Sequence, residues 1–378
     1  MAIPYFNPRS LISVDLSRQF QLETFEVGPH RFPRLLNGLW QLASPSWGSG
    51  SAKDQNIALA QLVEQGFVAA DMADHYGDAE LVYGGFRNSL APEIREQVYA
   101  ATKWCIFSPV EEPITTEWVL KQVKERCLRL GGRVELLQFH WYDYEAKEYL
   151  DILVELVRIT LSHPELVSTI GLCNFDSQHT REACEYVLGK TGTVGIVSNQ
   201  FSLLDARPRQ KMCDVCNKYG LKLLAYGSFQ VRPEDILRGK WAYTVTAKGE
   251  LLPLIVSRNQ CLTRPTWQYF DMMNTWGSWE EFQVLLEVLS SIAQKYGVSL
   301  TNIATRWVLQ QPAVGAVIVG TRLGVSAHGK ENARVFDFEL DDVDMKAINA
   351  VALGEDFGKA NAVYAQLGDC GNEYRAMH

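Results

Sequence analysis

The feature that most restricts the fold is an eightfold alternation of short apolar runs with longer amphipathic stretches. The first run is Leu35–Trp40. A helical stretch over Lys53–Gln65 stops at Gly66, and Phe67–Asp71 follows as the second run. A helical stretch from Ala79 leads to Val98–Lys103, the third. Thr115 can cap a helix that runs to Leu130 and ends at Gly131-Gly132, ahead of Val134–His140. The pattern then recurs: helix Lys147–Ser162, strand Val167–Cys173, helix Ser177–Leu188, strand Gly195–Gln200, helix Arg207–Lys218, strand Leu221–Tyr226. After a long connection, helices over Glu280–Tyr296 and Leu300–Gln310 lead through Pro312 into Val314–Gly320, the eighth run.

Strands that are apolar on both faces are covered on both faces, which indicates a parallel sheet. Such a sheet is either open and doubly wound or closed as a (β/α)8 TIM barrel. An open nucleotide-binding sheet usually carries GxGxxG directly after its first strand, and this chain has Gly38-Leu39-Trp40 there. A single-domain barrel is therefore expected, with function in the loops after the C-terminal strand ends. Residues 1–30 form an N-terminal extension and 31–378 the barrel domain. The insertion 229–279, from Phe229 to Trp279 after strand seven, has the length of a lid or binding loop.

Composition excludes several classes. With 47% apolar residues among 378, the chain can bury a large core, and its net charge of −8 includes no basic stripe for nucleic acid. No stretch reaches the roughly 18 apolar residues of a membrane helix, and Met1–Arg18 lacks the order of a secretory leader. The eight cysteines are scattered, as reduced core thiols are, and the one CxxC, Cys213 to Cys216, sits in a helix without zinc-spaced partners. A cytoplasmic enzyme is expected. HExxH, GxSxG and P-loop motifs are absent, and no metal site is expected.

Four polar side chains fall at or just past the ends of strands two, three and four. They are Asp71 and Tyr76 in Asp71-Met72-Ala73-Asp74-His75-Tyr76-Gly77, Lys103 in Ala101-Thr102-Lys103-Trp104, and His140 in Gln138-Phe139-His140-Trp141. Singly, each has an ordinary structural explanation: a loop cap, a snorkelling lysine, a core histidine. In order and in register, they resemble the catalytic tetrad of the aldo-keto reductases, and the resemblance extends from about Pro33 to Phe336. It implies reduction of a carbonyl, with Tyr76 as general acid, Lys103 and Asp71 as its tuning pair, and His140 orienting the carbonyl oxygen. An ammonium about 4 Å from a phenolate contributes about 4 kcal/mol at an effective dielectric near 20. At about 1.4 kcal/mol per pKa unit, that is expected to bring a tyrosine towards physiological pH. Asp74 and His75 are given no role.

The same resemblance implies a nicotinamide cradle. Ile170-Gly171-Leu172-Cys173-Asn174-Phe175 is similar to the family's strand-five segment, with Cys173 in the serine position and Asn174 as the stronger amide contact. Gln200 in Ser198-Asn199-Gln200-Phe201 supplies the other amide, and Tyr226, followed by Gly227 and Ser228, takes the place of the stacking aromatic. Gly320, Thr321 and Arg322, followed by Glu331 and Asn332, resemble the adenosine-phosphate segment, where a helix N-terminus and an arginine meet phosphate. His328 stands where many relatives carry an arginine for the 2′-phosphate, and NADP(H) is expected ahead of NAD. Trp47, Trp104, Trp141 and Trp276 are expected to line an apolar cleft for a small aldehyde or ketone, aryl or of natural-product type. Two other functions stay open: a cofactor-binding regulatory or accessory subunit with little turnover, and a non-redox isomerase or lyase using the same acid–base pair.

Overall fold

The computed structural model describes residues 11–43, 50–228, 243–245, 251–253 and 271–375. A hairpin of β1 (Thr24–Val27) and β2 (His30–Pro33) precedes β3 (Leu35–Gly38), β4 (Ala69–Asp71), β5 (Tyr99–Cys105), β6 (Val134–His140) and β7 (Val167–Cys173). Then come β8 (Ile196–Gln200), β9 (Lys222–Tyr226), the short antiparallel pair β10 (Tyr243–Val245) and β11 (Leu251–Pro253), and β12 (Val314–Gly320). Strands β3 to β9 and β12 close into a parallel barrel in the order β12-β3-β4-β5-β6-β7-β8-β9. The expected (β/α)8 architecture is thus observed.

Alternation along each strand decides which side chains reach the barrel interior. Leu36, Ala69, Ala101, Leu136, Ile196, Leu224 and Ala316 form one inward layer. Two residues further along each strand, the same parity sets Asp71, Lys103, Gln138, Ser198, Tyr226 and Ile318 inward, and four along it sets His140, Gln200 and Gly320. The opposite parity faces the helices, with Ala100, Leu137, Phe139, Leu172, Val197 and Val317 in the larger outer core.

The described part of the N-terminal extension serves the barrel. Phe25, Val27 and Phe32 of the hairpin are buried with the interior layer, at the end of the barrel opposite the strand C-termini. Gly315 leaves room for this plug, since a Cβ there would lie 2.7 Å from the Phe25 ring.

Local signals set the helices. Ser51 with Asp54 and Ser278 with Glu281 form capping boxes, and the Thr115 side chain accepts from Trp118 N, satisfying donors that a helix start leaves open. The first strand is shorter than expected, because Trp40–Ala43 turns into a 3-10 helix. Cys213 and Cys216 are both buried on the helix Met212–Tyr219. The lid expected over 229–279 lies largely outside the described residues. Among the described residues no helix is long and apolar enough to cross a membrane.

Candidate active site

The four sequence-selected residues meet at the C-terminal mouth. Lys103 Nζ donates to Asp71 Oδ1 at 2.5 Å and to the Met72 carbonyl at 2.9 Å, and both side chains of the pair are about nine-tenths or more buried (6% and 5% exposed). Gln138, inward on β6, donates to the second Asp71 oxygen at 2.7 Å. The ammonium stands 5.0 Å from the centroid of the Tyr76 ring. His140 Nδ1 is 3.1 Å from the Cys173 carbonyl oxygen. A carbonyl only accepts, so Nδ1 carries a proton.

The electrostatics correct one expectation. Burial comes first for Tyr76 and pushes its hydroxyl above the usual tyrosine range; Lys103 pulls it down and Asp71 opposes that pull. In the protein alone, desolvation outweighs the lysine, and Tyr76 is a neutral phenol at physiological pH, the form that donates a proton. Burial also works against the Lys103 charge, but Asp71 and then Tyr76 outweigh it and hold the ammonium above its ordinary range.

Asp74, passed over in the sequence, fastens the loop that carries Tyr76. Its Oδ2 accepts from Arg126 Nη2 at 2.5 Å and from Cys105 N at 3.1 Å, and its own N–H donates to the Lys103 carbonyl at 3.2 Å. The loop is thereby tied both to β5 and to the helix Thr116–Arg129, two residues before Tyr76. Burial opposes the Asp74 charge, yet His75, Arg126 and the Cys105 amide together hold the carboxyl below the usual carboxylate range.

The residues expected to meet the nicotinamide amide stand on or beside β7, β8 and β9, next to the last described segment. Asn174 takes a left-handed conformation (φ 59°), and its Oδ1 accepts from the Tyr226 hydroxyl at 2.7 Å. Gln200 ends β8 in register with Tyr226. Arg375 donates to the Asn174 carbonyl at 2.8 Å and to the Tyr144 hydroxyl at 3.0 Å. Arg207, buried between Asp205 and Glu373 with N···O distances of 2.8 Å to each, anchors that segment to the barrel. Gly371 packs so closely on Asn174 that a Cβ would lie 1.9 Å from its carbonyl oxygen. Cys173 contributes its carbonyl to His140, and burial pushes its thiol up to about 11. Gly227 packs on Gln200, whereas Ser228 is buried with its hydroxyl donated to the Phe201 carbonyl.

The residues expected on the adenosine side line a narrow cleft of about 50 Å³. Gly320, Thr321, Arg322, His328 and Asn332 form one wall, and Ala58, Gln61, Leu62 and Gln65 the other. Glu331 is turned to Asn302, accepting from its Nδ2 at 3.3 Å. The helix expected to present its N-terminus spans only Gly329–Ala333, so side chains and the loop carry the wall. The Gln65 and Gln41 amide oxygens are buried without a protein partner among the described residues, acceptors that a bound ligand's donor groups would satisfy, and Gln41 lies over Gly320, where a Cβ would come within 2.2 Å of its Nε2.

The tryptophans are where the sequence expectation fails. Trp104 and Trp141 alternate with inward Lys103 and His140, so they face the helices. Trp104 packs on Trp118 and Phe139, and Trp141 on Phe139 and Tyr149 with its indole N–H held by the Ala146 carbonyl. Trp276 is buried, donating to the Ala352 carbonyl. Trp47 lies outside the described residues. Phe107, 37% exposed, has its ring 5.5 Å from that of His140.

Comparison with known proteins agrees with this fold. The chain is 27% identical over 198 residues to Flagellar radial spoke protein 5 of Chlamydomonas reinhardtii, covering 46% of this chain and about a third (33%) of that protein. It is 23% identical to Methylglyoxal reductase DkgA of Yersinia pestis across 88% of this chain and 93% of that one. A solved thermostable aldo-keto reductase in complex with the inhibitor epalrestat shares the fold, with a TM-score of 0.60, 19% identity, and coverage of 87% of this chain and 100% of that one. Residues 34–353 match the Aldo/keto reductase family, and the chain belongs to that family of oxidoreductases.

Proposed function

We propose that the protein reduces an aldehyde or ketone to an alcohol with NADPH, using Tyr76 as proton donor. The observation that carries this is the buried Lys103–Asp71 pair beneath the Tyr76 ring. Asn174, Gln200 and Tyr226 would hold the nicotinamide end of the cofactor, and Gly320, Thr321, Arg322, His328 and Asn332 its adenosine end. The bound cofactor supplies hydride to the carbonyl carbon. As negative charge gathers on the substrate oxygen, neutral Tyr76 transfers its proton there, and Lys103 stabilises the phenolate left behind. His140 positions that oxygen, its ring held in place by the Nδ1 contact to the Cys173 carbonyl. Phe107 offers an apolar face beside His140, which favours a substrate with an aryl or branched apolar group.

The test mixes pure protein with NADPH and a panel of aromatic and aliphatic aldehydes and follows loss of the nicotinamide absorbance. Turnover favouring aryl substrates is expected. A second function, a cofactor-binding accessory subunit, draws support from the partial likeness to a radial spoke protein. NADPH binding without turnover on any carbonyl would select it and overturn the first.

A further inference from the structure

Asp74, His75 and Cys105 converge at the lip of the mouth from the loop after β4 and the end of β5. One carboxylate oxygen, one ring nitrogen and Sγ all lie within 4.8 Å of one another. His75 Nδ1 is 3.5 Å from Asp74 Oδ1, and the Cys105 backbone N–H donates to Asp74 Oδ2 at 3.1 Å. We propose that these three side chains form a site for a soft divalent cation, zinc above all, and that its occupation inhibits turnover. The binding claim stands on these residues alone; the inhibition claim rests on the reductase function proposed above.

The chemistry of the set selects the ion. Mixed oxygen, nitrogen and sulfur donors suit zinc and exclude magnesium and calcium, which prefer oxygen alone. Bonds of about 2.0–2.3 Å in a tetrahedron place ligand atoms roughly 3.3–3.8 Å apart, so the group must draw in by about 1 Å. His75, 45% exposed, has the freedom to supply that movement and opens a path to solvent. Asp74 is already oriented by Arg126 and the Cys105 amide, as carboxylate ligands usually are by an outer shell. Among the described cysteines, Cys105 is the one that is not fully buried. Binding replaces the thiol proton with the metal: the S–H bond breaks, an S–Zn bond forms, and the proton leaves to solvent, so affinity rises with pH. Water completes the fourth position. Because the His75 ring stands edge-on 4.7 Å from Tyr76 and 5.2 Å from Phe107, a cation held there crowds the entrance beside the proton donor and fixes the lip.

The metal-free full-length protein is titrated with Co2+, and the thiolate-to-cobalt charge-transfer band is followed; Zn2+ is then added to displace it. One equivalent is expected, with the band lost in Cys105→Ser and zinc affinity lowered about tenfold or more in His75→Ala. Asp74 is left intact because it pins the loop. Absence of the band, or a band that survives Cys105→Ser, overturns the site. In the turnover assay, Zn2+ is expected to inhibit the wild type, reversibly with a chelator, and to spare Cys105→Ser. Zinc that binds through Cys105 without slowing turnover overturns the inhibitory role. The cobalt spectrum reports binding whether or not a carbonyl is turned over, so failure of the site and failure of the reductase function are told apart.

Discussion

Replacing Asp71 by Asn removes a charge while keeping the shape of the side chain, and its cost follows from the surroundings. Lys103 Nζ has Asp71 at 2.5 Å as its only described carboxylate partner, within a buried environment. Removing one member of such a pair costs about 3–5 kcal/mol, because the other charge stays in low dielectric. The Met72 carbonyl, 2.9 Å away, still accepts a hydrogen bond from the ammonium, which places the loss near the lower end, about 3 kcal/mol. Lys103→Met strands the Asp71 carboxylate with Gln138 alone and is expected to cost a similar amount. The double variant Asp71→Asn/Lys103→Met buries no unpaired charge, so it should be less destabilised than the sum of the singles by about 2 kcal/mol or more. Guanidinium unfolding of the four proteins, without cofactor, measures this cycle. Single losses under about 1 kcal/mol, or additivity within about 0.5 kcal/mol, would show that the two groups are not a buried pair.

Asp74→Asn should lower carbonyl turnover about tenfold or more while leaving NADPH affinity unchanged, since it loosens Tyr76 and not the cradle; an equal loss of cofactor binding would contradict that division. The Asp74 carboxyl is held low in the fold, so its contribution to stability is present above about pH 4, the unfolded value, and disappears as pH falls through the folded one. Acid unfolding curves should therefore fall more steeply for the wild type than for Asp74→Asn below about pH 4. Arg375→Ala should weaken NADPH binding by freeing Asn174, measured by fluorescence titration; unchanged affinity would remove the terminal segment from the cradle. Trp141→Ala should cost about 3–5 kcal/mol of stability, as deletion of a buried aromatic does, whereas Phe107→Ala should spare stability and raise KM for aryl aldehydes. A reversed pair of results would return Trp141 to the substrate wall.

The fold was legible because its signals are local and repeated: strands apolar on both faces, a cap at Thr115, glycine stops at Gly66 and Gly131. The grouping of Asp71, Tyr76, Lys103 and His140 was legible because each sits at or just past a strand end and the barrel sets neighbouring strand ends side by side. Parity alone places Trp104 and Trp141 on the helix side once Lys103 and His140 point inward. Gln138 could have been found in the same way, two positions before His140. Arg126 and Arg375 could not, since they act on Asp74 and Asn174 from 52 and 201 residues away. The same holds for Asp74, His75 and Cys105, whose ligand atoms come from two strand ends and follow no metal-binding spacing. The tyrosine's direction of shift depended on desolvation, which charge counting omits.

The most direct measurement compares Tyr76→Phe with the wild type in a single-turnover reduction at saturating NADPH. The substitution removes one hydroxyl and keeps the ring beside Lys103. Cofactor affinity should be nearly intact and the rate of carbonyl reduction about 100-fold lower or more. A Phe variant that reduces the substrate at close to the native rate would mean that the proton comes from elsewhere.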